Sequence, residues 1–356
     1  MNKPGSTLLF LIPGFPADET DTSCLPAQQL LVKALNKLFP EVKIIILSFQ
    51  YPYTDKEYNW FGNRVIPFNG QNKRKLYRLL LWKKVWVKMK QLKNETHVLG
   101  VFSCWCSECA LVGKYFSKKH SLKHFIWVCG QDARKGNKLV KIIHPSPASL
   151  IAISDFLADT FFKNHHIRPA RIIPIGIDPE MYAANKLPEK DIDILGAGSL
   201  IPLKQFDQFI EIVKELKMRL PSIKTIISGE GPERKNLQNL IKRYGLQDNI
   251  LLPGEKPHSE VLQLMQRSKI LLHPSAYEGL GAVCIEALYA GAHVVSFCKP
   301  FHKKKFHWHT VETTDEMLRE AGIILLNNNT DFSSVMVNDV KTSAISIMKL
   351  FEHTGK

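Results

Sequence analysis

The sequence predicts an α/β protein made of two doubly wound halves. Short apolar runs alternate with stretches of helical spacing along most of the chain, the pattern of a parallel sheet covered by helices on both faces. The alternation occurs in two sets, which join near "IPIGIDPEMY", residues 173–182. At 356 residues the chain is also long for one core and natural for two domains of about 150–200 residues each.

In chain order, the first set comprises the strand "TLLFLI", the helix "LPAQQLLVKALNKL" and the strands "VKIIILSF", "THVLGVF", "HFIWVC" and "SLIAIS". The second begins with the strand "DIDILGAG" and the helix around "FDQFIEIVKELKMRL". It continues through "KTIISG", "NILLPG", "KILLHPS" and "HVVSF". Open α/β sheets bind ligands beyond the carboxyl ends of their strands. In the second half those ends carry Gly198-Ser199, Gly229-Glu230-Gly231, Gly254-Glu255 and a glycine-rich turn, all expected to converge on one cleft.

That turn lies in "HPSAYEGLGAVCIEALYAG", residues 273–291. A strand runs into Pro274, Gly279 and Gly281 break the chain, and "AVCIEALYA" has helical spacing. Such a turn presents backbone N–H groups and the positive end of a helix, which suits a phosphate. Glu278 and Glu286 flank it and would repel a phosphate unless they address hydroxyl groups; a nucleotide sugar satisfies both demands. The alternative is an ordinary βα turn with Glu278 solvated and Glu286 on an exposed helix face.

A hydrophobic content of 45% with 23% charged residues is that of a soluble globular protein. The net charge of +15 favours an anionic partner: a membrane surface, nucleic acid or a phosphorylated substrate. Seven cysteines without framework spacing read as thiols in a reducing compartment. The apolar start is cut off at Pro13-Gly14 and reads as a buried strand rather than a signal peptide, and no run is long enough to span a bilayer. The expected location is cytoplasmic.

Read in order, the second half resembles the nucleotide-sugar domain of glycosyltransferase family 4, the bacterial "glycosyl transferases group 1" type. The pieces that carry the likeness are "LIAISDFLADTFF", "RIIPIGIDPEMY", "GAGSLIPLKQFDQFIEIV", "IISGEGPERKNLQNLIKRYGL" and the stretch from "NILLPGEKPHSEV" to "AGAHVVSF", about residues 148–298. The resemblance implies the GT-B fold, two Rossmann-like domains facing across a cleft. It also implies retaining transfer of a sugar from a nucleotide diphosphate donor, with no cofactor and no metal. Glu286 matches the residue that holds the ribose hydroxyls and Glu278 the one near the donor sugar. Gly279, Leu280 and Gly281 match the backbone that faces the diphosphate, and Lys204 the lysine that neutralises it. Gly198, Ser199, Gly229, Glu230 and Gly254 complete the expected donor site.

The chain also departs from the family. Ser199 stands where an arginine is usual, Ile175 replaces the asparagine of "NGID", and Glu230 replaces the aspartate of "GDGP". In the first half an acidic loop with Asp18, Glu19 and Asp21 follows the first strand in place of a glycine pair, and Cys129 occupies the position of a donor-contacting histidine. Asp132, a candidate catalytic group, and Arg134 are potential stand-ins, or parts of a polar βα turn.

Residues 73–93 hold nine Lys or Arg and no acidic residue, with Trp82 and Trp86 one helical turn apart. This predicts an amphipathic helix lying on an anionic membrane, its aromatics among the headgroups. The alternative is a helix whose apolar stripe joins the core. Cys104, Cys106 and Cys109 in "CWCSEC" lack paired zinc spacing and read as buried, while Trp105 and Glu108 in the same turn are acceptor-site candidates. His302, His307 and His309 read as part of a basic loop over the cleft. "DIDIL" precedes its strand, whereas a metal site should follow one.

The expected domains are 1–177 on the acceptor side, 178–335 for the nucleotide sugar, and a helix within 336–356 that packs back on the first. The expected function is transfer of a sugar to a glycan or lipid-linked acceptor in envelope or surface polysaccharide synthesis, by an enzyme peripheral on the inner face of the cell membrane. The alternative is a catalytically impaired nucleotide-sugar-binding or scaffold protein of the same fold. An oxidoreductase would need a third glycine after "GAGSL", and no nucleic-acid-binding module is recognisable.

Overall fold

Every strand expected from an apolar run is present in the computed structural model, which describes residues 5–73, 76–182 and 188–352. The chain divides into two compact units, residues 1–176 with 340–356, and residues 177–339.

The first unit opens with β1 (Ser6–Gly14), α1 (Pro26–Leu38), β2 (Val42–Tyr51), β3 (Tyr58–Trp60), β4 (Asn63–Pro67) and α2 (Leu76–Glu95). It continues through β5 (His97–Cys104), α3 (Glu108–His120), β6 (Lys123–Val128), α4 (Leu139–Ile143), β7 (Leu150–Ala152), α5 (Asp155–His165) and β8 (Arg171–Ile172). The strand order is β3-β4-β2-β1-β5-β6-β7-β8, parallel except for β3 against β4. The β3–β4 hairpin was not expected. Its turn puts Phe61 at φ 42° and Gly62 at φ 80°, the double left-handed turn that hairpins favour, but Phe is not a residue that signals it.

The second unit holds β9 (Ile192–Ala197), α6 (Phe206–Lys217), β10 (Thr225–Ser228), α7 (Arg234–Arg243), β11 (Ile250–Gly254) and α8 (His258–Arg267). After these come β12 (Ser268–His273), α9 (Ala282–Tyr289), β13 (His293–Ser296), β14 (Trp308–Thr310) and α10 (Thr314–Leu326). Helix α6 shows why the unit folds as it does: Phe206, Phe209, Ile210, Val213 and Leu216 recur on one face and bury against Ile194, Ile227 and Ile270 of the sheet. The all-parallel order β11-β10-β9-β12-β13-β14 is the doubly wound 3-2-1-4-5-6 arrangement, with its reversal between β9 and β12.

The final helix, α11 (Val340–Phe351), returns to the first unit. It packs on α1, sets the Phe351 ring edge-on to Phe125 at 5.2 Å, and receives Lys123 Nζ on the carbonyl of Leu350 at 3.1 Å.

Helix α2 departs from expectation. Residues 74 and 75 of the predicted basic segment lie outside the described residues. Trp82 and Trp86 turn inward against the core, Trp86 edge-on to Phe116 at 5.3 Å. The solvent face carries Leu76, Tyr77, Leu79, Leu80 and Val87, all more than half exposed, interleaved with Lys83 and Lys84. The helix is apolar on several sides, so sequence periodicity cannot choose its buried stripe; the sheet beneath does.

Candidate functional site

The reversal between β9 and β12 brings two turns of the second unit together. Beyond β9, the turn from Gly198 leads through a short 3-10 segment, Pro202–Lys204, to α6. Beyond β12, the glycine-rich turn leads to α9. The backbone N–H of Ala276 donates to Leu203 O at 3.0 Å, and Ser275 Oγ to the same carbonyl at 3.2 Å, so the two turns are fastened to each other.

This fastening places Lys204 beside Glu278. Lys204 Nζ is ion-paired to Glu278 Oε1, with the two side chains only 19% and 18% exposed. Ser275 Oγ donates to the same oxygen at 3.2 Å, and His273 Nε2 approaches it at 3.3 Å from the end of β12. Burial pushes the Glu278 carboxyl up, but His273 and Lys204 outweigh it and bring it down to about 2. It is therefore an ionised carboxylate held by cationic or titratable partners.

Glycines shape the floor. Gly281 adopts φ 74° at the start of α9, where a Cβ would meet Cys284 Sγ at 3.1 Å. Gly229 lies so close to the neighbouring strand end that a Cβ would sit 1.9 Å from the carbonyl oxygen of Gly198. Gly279, Leu280 and Gly281 are buried, and the first amides of α9 have no intrahelical acceptor, as at any helix start.

Glu286, on α9, is 9% exposed rather than on a solvated face. His258 Nε2 lies 2.9 Å from its Oε1, and Tyr182 donates its hydroxyl to the Glu286 backbone carbonyl at 3.2 Å. At the end of β10, Glu230 accepts from Arg234 Nη1 at 2.6 Å, and Arg234 Nη2 donates to Leu252 O at 3.0 Å. Gly254 sits against this pair, its would-be Cβ 2.9 Å from Glu230 Oε1. Ser199 is exposed at the end of β9. His258, His273, Ser275 and Arg234 escaped the sequence reading. All four stand in strand-end or helix-start positions within the quoted motifs, which was the available signal.

The candidates in the first unit have other occupations. Asp132 is buried, and its carboxylate accepts backbone N–H from Cys106 at 2.7 Å, Gly130 at 2.8 Å and Cys129 at 3.2 Å. Burial nevertheless raises it to about 6. The group expected to serve catalysis is spent on holding its turn. Glu108 is likewise turned inward: Gln50 Nε2 donates to Oε1, while Trp82 Nε1 donates to Oε2 at 2.8 Å and Arg78 Nε reaches that oxygen at 3.4 Å. It ties α2 and β2 to α3 rather than facing an acceptor. Arg134 donates to Gln131 Oε1 at 2.9 Å, and Trp105 is half-buried at φ 64°. Cys104, Cys106 and Cys109 are buried, as expected.

Asp18 and Asp21 organise their own loop, while Glu19 reaches the β3–β4 turn. Asp18 Oδ1 accepts from the Thr20 and Asp21 amides, and Glu19 Oε1 from Phe61 N at 2.8 Å. Two of the three histidines expected in a basic loop belong elsewhere. His307 is buried and stacks on His293 at 4.1 Å, and His309 Nε2 lies 2.9 Å from His293 Nδ1, in a cluster along β13 and β14. His302 is exposed, with Lys303 and Lys304 beside it.

A family model described as glycosyl transferases group 1 matches residues 178–307, a stretch inside the second unit that contains all of the candidate residues described for that unit from Gly198 to Glu286. The second unit is a group 1 glycosyl transferase domain. An uncharacterized glycosyltransferase of Haemophilus influenzae is 26% identical over 317 residues, 84% of this chain and 85% of its own. The gpi3 subunit of a phosphatidylinositol N-acetylglucosaminyltransferase from Schizosaccharomyces pombe is 27% identical over 164 residues, 45% of this chain. The chain spans only 36% of that subunit, and 26% and 46% of the corresponding human and Arabidopsis thaliana subunits. Among solved structures, Anabaena Alr3699/HepE in complex with UDP and glucose superposes with a TM-score of 0.69 at 17% identity, over 96% of this chain and 98% of its own. The fold is that of the GT-B glycosyltransferases, with two Rossmann-like domains.

Proposed function

We propose that the protein is a retaining glycosyltransferase that moves a sugar from a nucleotide diphosphate sugar to a glycan or lipid-linked acceptor, with no metal or cofactor. The observation that carries this is the Lys204–Glu278 pair at the switch point, next to a glycine-rich turn and the start of α9. A diphosphate at this turn competes with Glu278 for Lys204. Arrival of the donor then neutralises its own leaving group and frees the Glu278 carboxylate for the sugar. Charge that develops on the departing diphosphate meets donors already in place, which is where such sites gain most of their rate. Glu286 takes the ribose hydroxyls.

A lipid-borne acceptor draws support from relatives named for transfer to phosphatidylinositol and from the apolar and basic solvent face of α2, which suits an anionic membrane surface. No helix among the described residues is long and apolar enough to cross a membrane. Envelope or surface polysaccharide synthesis on the inner membrane face is the setting we favour. One observation favours a second reading, a nucleotide-sugar-binding scaffold: Ser199 leaves the donor turn one cation short of its family.

Calorimetry of UDP, GDP and ADP and their sugar conjugates, without metal, against wild type and Glu286→Ala tests the site. One nucleotide should bind wild type and lose at least tenfold in the variant. Binding without product, in wild type and in Ser199→Arg alike, establishes the scaffold. An inverted anomeric configuration in the product overturns the retaining course.

A further inference from the structure

We infer that His258 is a positioning residue for donor recognition: it orients the Glu286 carboxylate so that the site distinguishes a ribose from its deoxy forms. This rests on the reading of Glu286 as the ribose-binding group.

The two residues come from different helices. His258 is the first residue of α8, directly after the loop that leaves β11, and Glu286 lies in the second turn of α9. The helices pack on each other, with Leu262 and Met265 of α8 buried. His258 Nε2 and Glu286 Oε1 are 2.9 Å apart, and the two side chains are 10% and 11% exposed.

A carboxylate is an acceptor only, so the contact requires the hydrogen on Nε2 of the ring. A carboxylate on a flexible two-carbon stem, recognising two adjacent hydroxyls, must present both oxygens at a fixed angle. An N–H bond to Oε1 removes the rotation of the terminal group and leaves Oε2, with the outer lone pair of Oε1, to accept from the ligand. Tyr182 fixes the same residue from behind, through its main-chain carbonyl at 3.2 Å. Side chains that bind ligand reach useful precision only when such neighbours lock them, and these neighbours stand on helices rather than loops. A site that accepts hydrogen bonds from hydroxyls discriminates against ligands lacking them because its acceptor is then left unpaired.

A simple tie between α8 and α9 would also use this bond, and the two roles differ in what they change. Loss of a tie lowers stability and weakens every nucleotide alike. Loss of an orienting bond weakens the ribonucleotide most and erases the preference for ribose.

The test is calorimetric titration of UDP, with GDP and ADP in parallel, and of the 2′-deoxy and 3′-deoxy forms of whichever binds. The proteins are wild type, His258→Ala, His258→Gln and Glu286→Ala, each with its melting temperature recorded. We expect wild type to prefer the ribonucleotide roughly tenfold or more over the deoxy forms, the scale of one ligand hydrogen bond to a charged group. His258→Ala should lose most of that preference, while His258→Gln, whose amide N–H can reach the same oxygen, keeps it. If His258→Ala weakens ribo and deoxy forms equally, or leaves both unchanged, while Glu286→Ala abolishes the preference, His258 is only a tie and the inference is overturned. If no nucleotide binds wild type, or Glu286→Ala binds as wild type does, the reading of Glu286 fails first and this inference falls with it. Should His258→Ala not fold, His258→Gln paired with His258→Leu under the same titrations decides between the roles.

Discussion

Each unit holds two largely shielded carboxylates near the carboxyl ends of its strands, and the two pairs are held in different ways. In the first unit, Asp132 accepts three backbone N–H groups, and Glu108 accepts a glutamine amide and an indole, with Arg78 farther off at 3.4 Å. In the second, Glu278 faces Lys204 and His273, and Glu286 faces His258. A carboxylate held by peptide N–H groups cannot release them without undoing its turn. A carboxylate held by a lysine on a long stem can surrender that partner to a phosphate at little cost. On the function proposed above, the first pair is architecture and the second machinery: Glu278 gives up its lysine to the donor, and Glu286 keeps its histidine while it binds.

Substitution should separate the pairs by what is lost. Glu278→Gln keeps the shape but removes the charge. It should lower kcat by roughly 10²–10³, the scale of a deleted electrostatic group in an active site. The melting temperature should fall as well, because the variant loses the ionised form that His273 and Lys204 stabilise, but the loss of kcat is what marks a catalytic group. A variant that melts far earlier with kcat intact would make Glu278 architecture and break the comparison.

Glu108→Ala should show the converse. Gln50 and Trp82 would be left with unmatched donors, at about 1–3 kcal/mol each. Urea unfolding followed by tryptophan emission reports mainly on the first unit, which holds five of the six tryptophans. The midpoint should fall while nucleotide affinity in the folded variant stays within about twofold. A variant as stable as wild type that no longer uses acceptor would return Glu108 to the acceptor site.

Asp132 and Glu278 should also respond oppositely to acid. Asp132 is raised from 3.8 to about 6, so the folded state holds a proton that the unfolded state has lost, and its contribution to stability declines as pH rises from about 4 to 6. Glu278 is lowered from 4.5 to about 2, so its contribution is present above 4.5 and is lost as pH falls toward 2. Asp132→Asn should flatten the first slope in unfolding midpoints measured between pH 4 and 6.5, with a net loss of about 1–2 kcal/mol from amides it cannot serve. An unchanged slope would show that Asp132 stays ionised when folded.

The glycine-rich turn was legible because Glu278, the glycines and Glu286 lie in one stretch whose strand, turn and helix each have a local signature. Lys204 was legible through its own motif, although nothing local says that it pairs with Glu278; that follows from the strand reversal. His258 and His273 were invisible for the same reason, since their meaning lies in contacts across crossovers. Asp132 misled because an aspartate two residues after a glycine in a βα turn looks the same whether it faces solvent or gathers backbone N–H groups. The β3–β4 hairpin hid behind a phenylalanine in a conformation that phenylalanine seldom adopts.

Helix α2 offers the sharpest test of surface against core, and its exposed face the smallest effect on stability. Both its faces are apolar, so deletion of either would look equivalent in the sequence. Trp86→Ala removes a ring packed on Phe116 and should destabilise the first unit by about 3 kcal/mol or somewhat less, since the ring is only partly buried. Leu79→Ser removes a side chain that is 56% exposed and should shift the unfolding midpoint by no more than about 0.5 kcal/mol. If that face meets an anionic bilayer, Leu79→Ser together with Leu80→Ser should reduce co-sedimentation with phosphatidylserine vesicles severalfold, and Lys83→Gln with Lys84→Gln should do so at low salt, where screening is weak. Sedimentation that is unchanged in both pairs would leave the exposed face of α2 without a membrane role, while the inward turn of its tryptophans would stand.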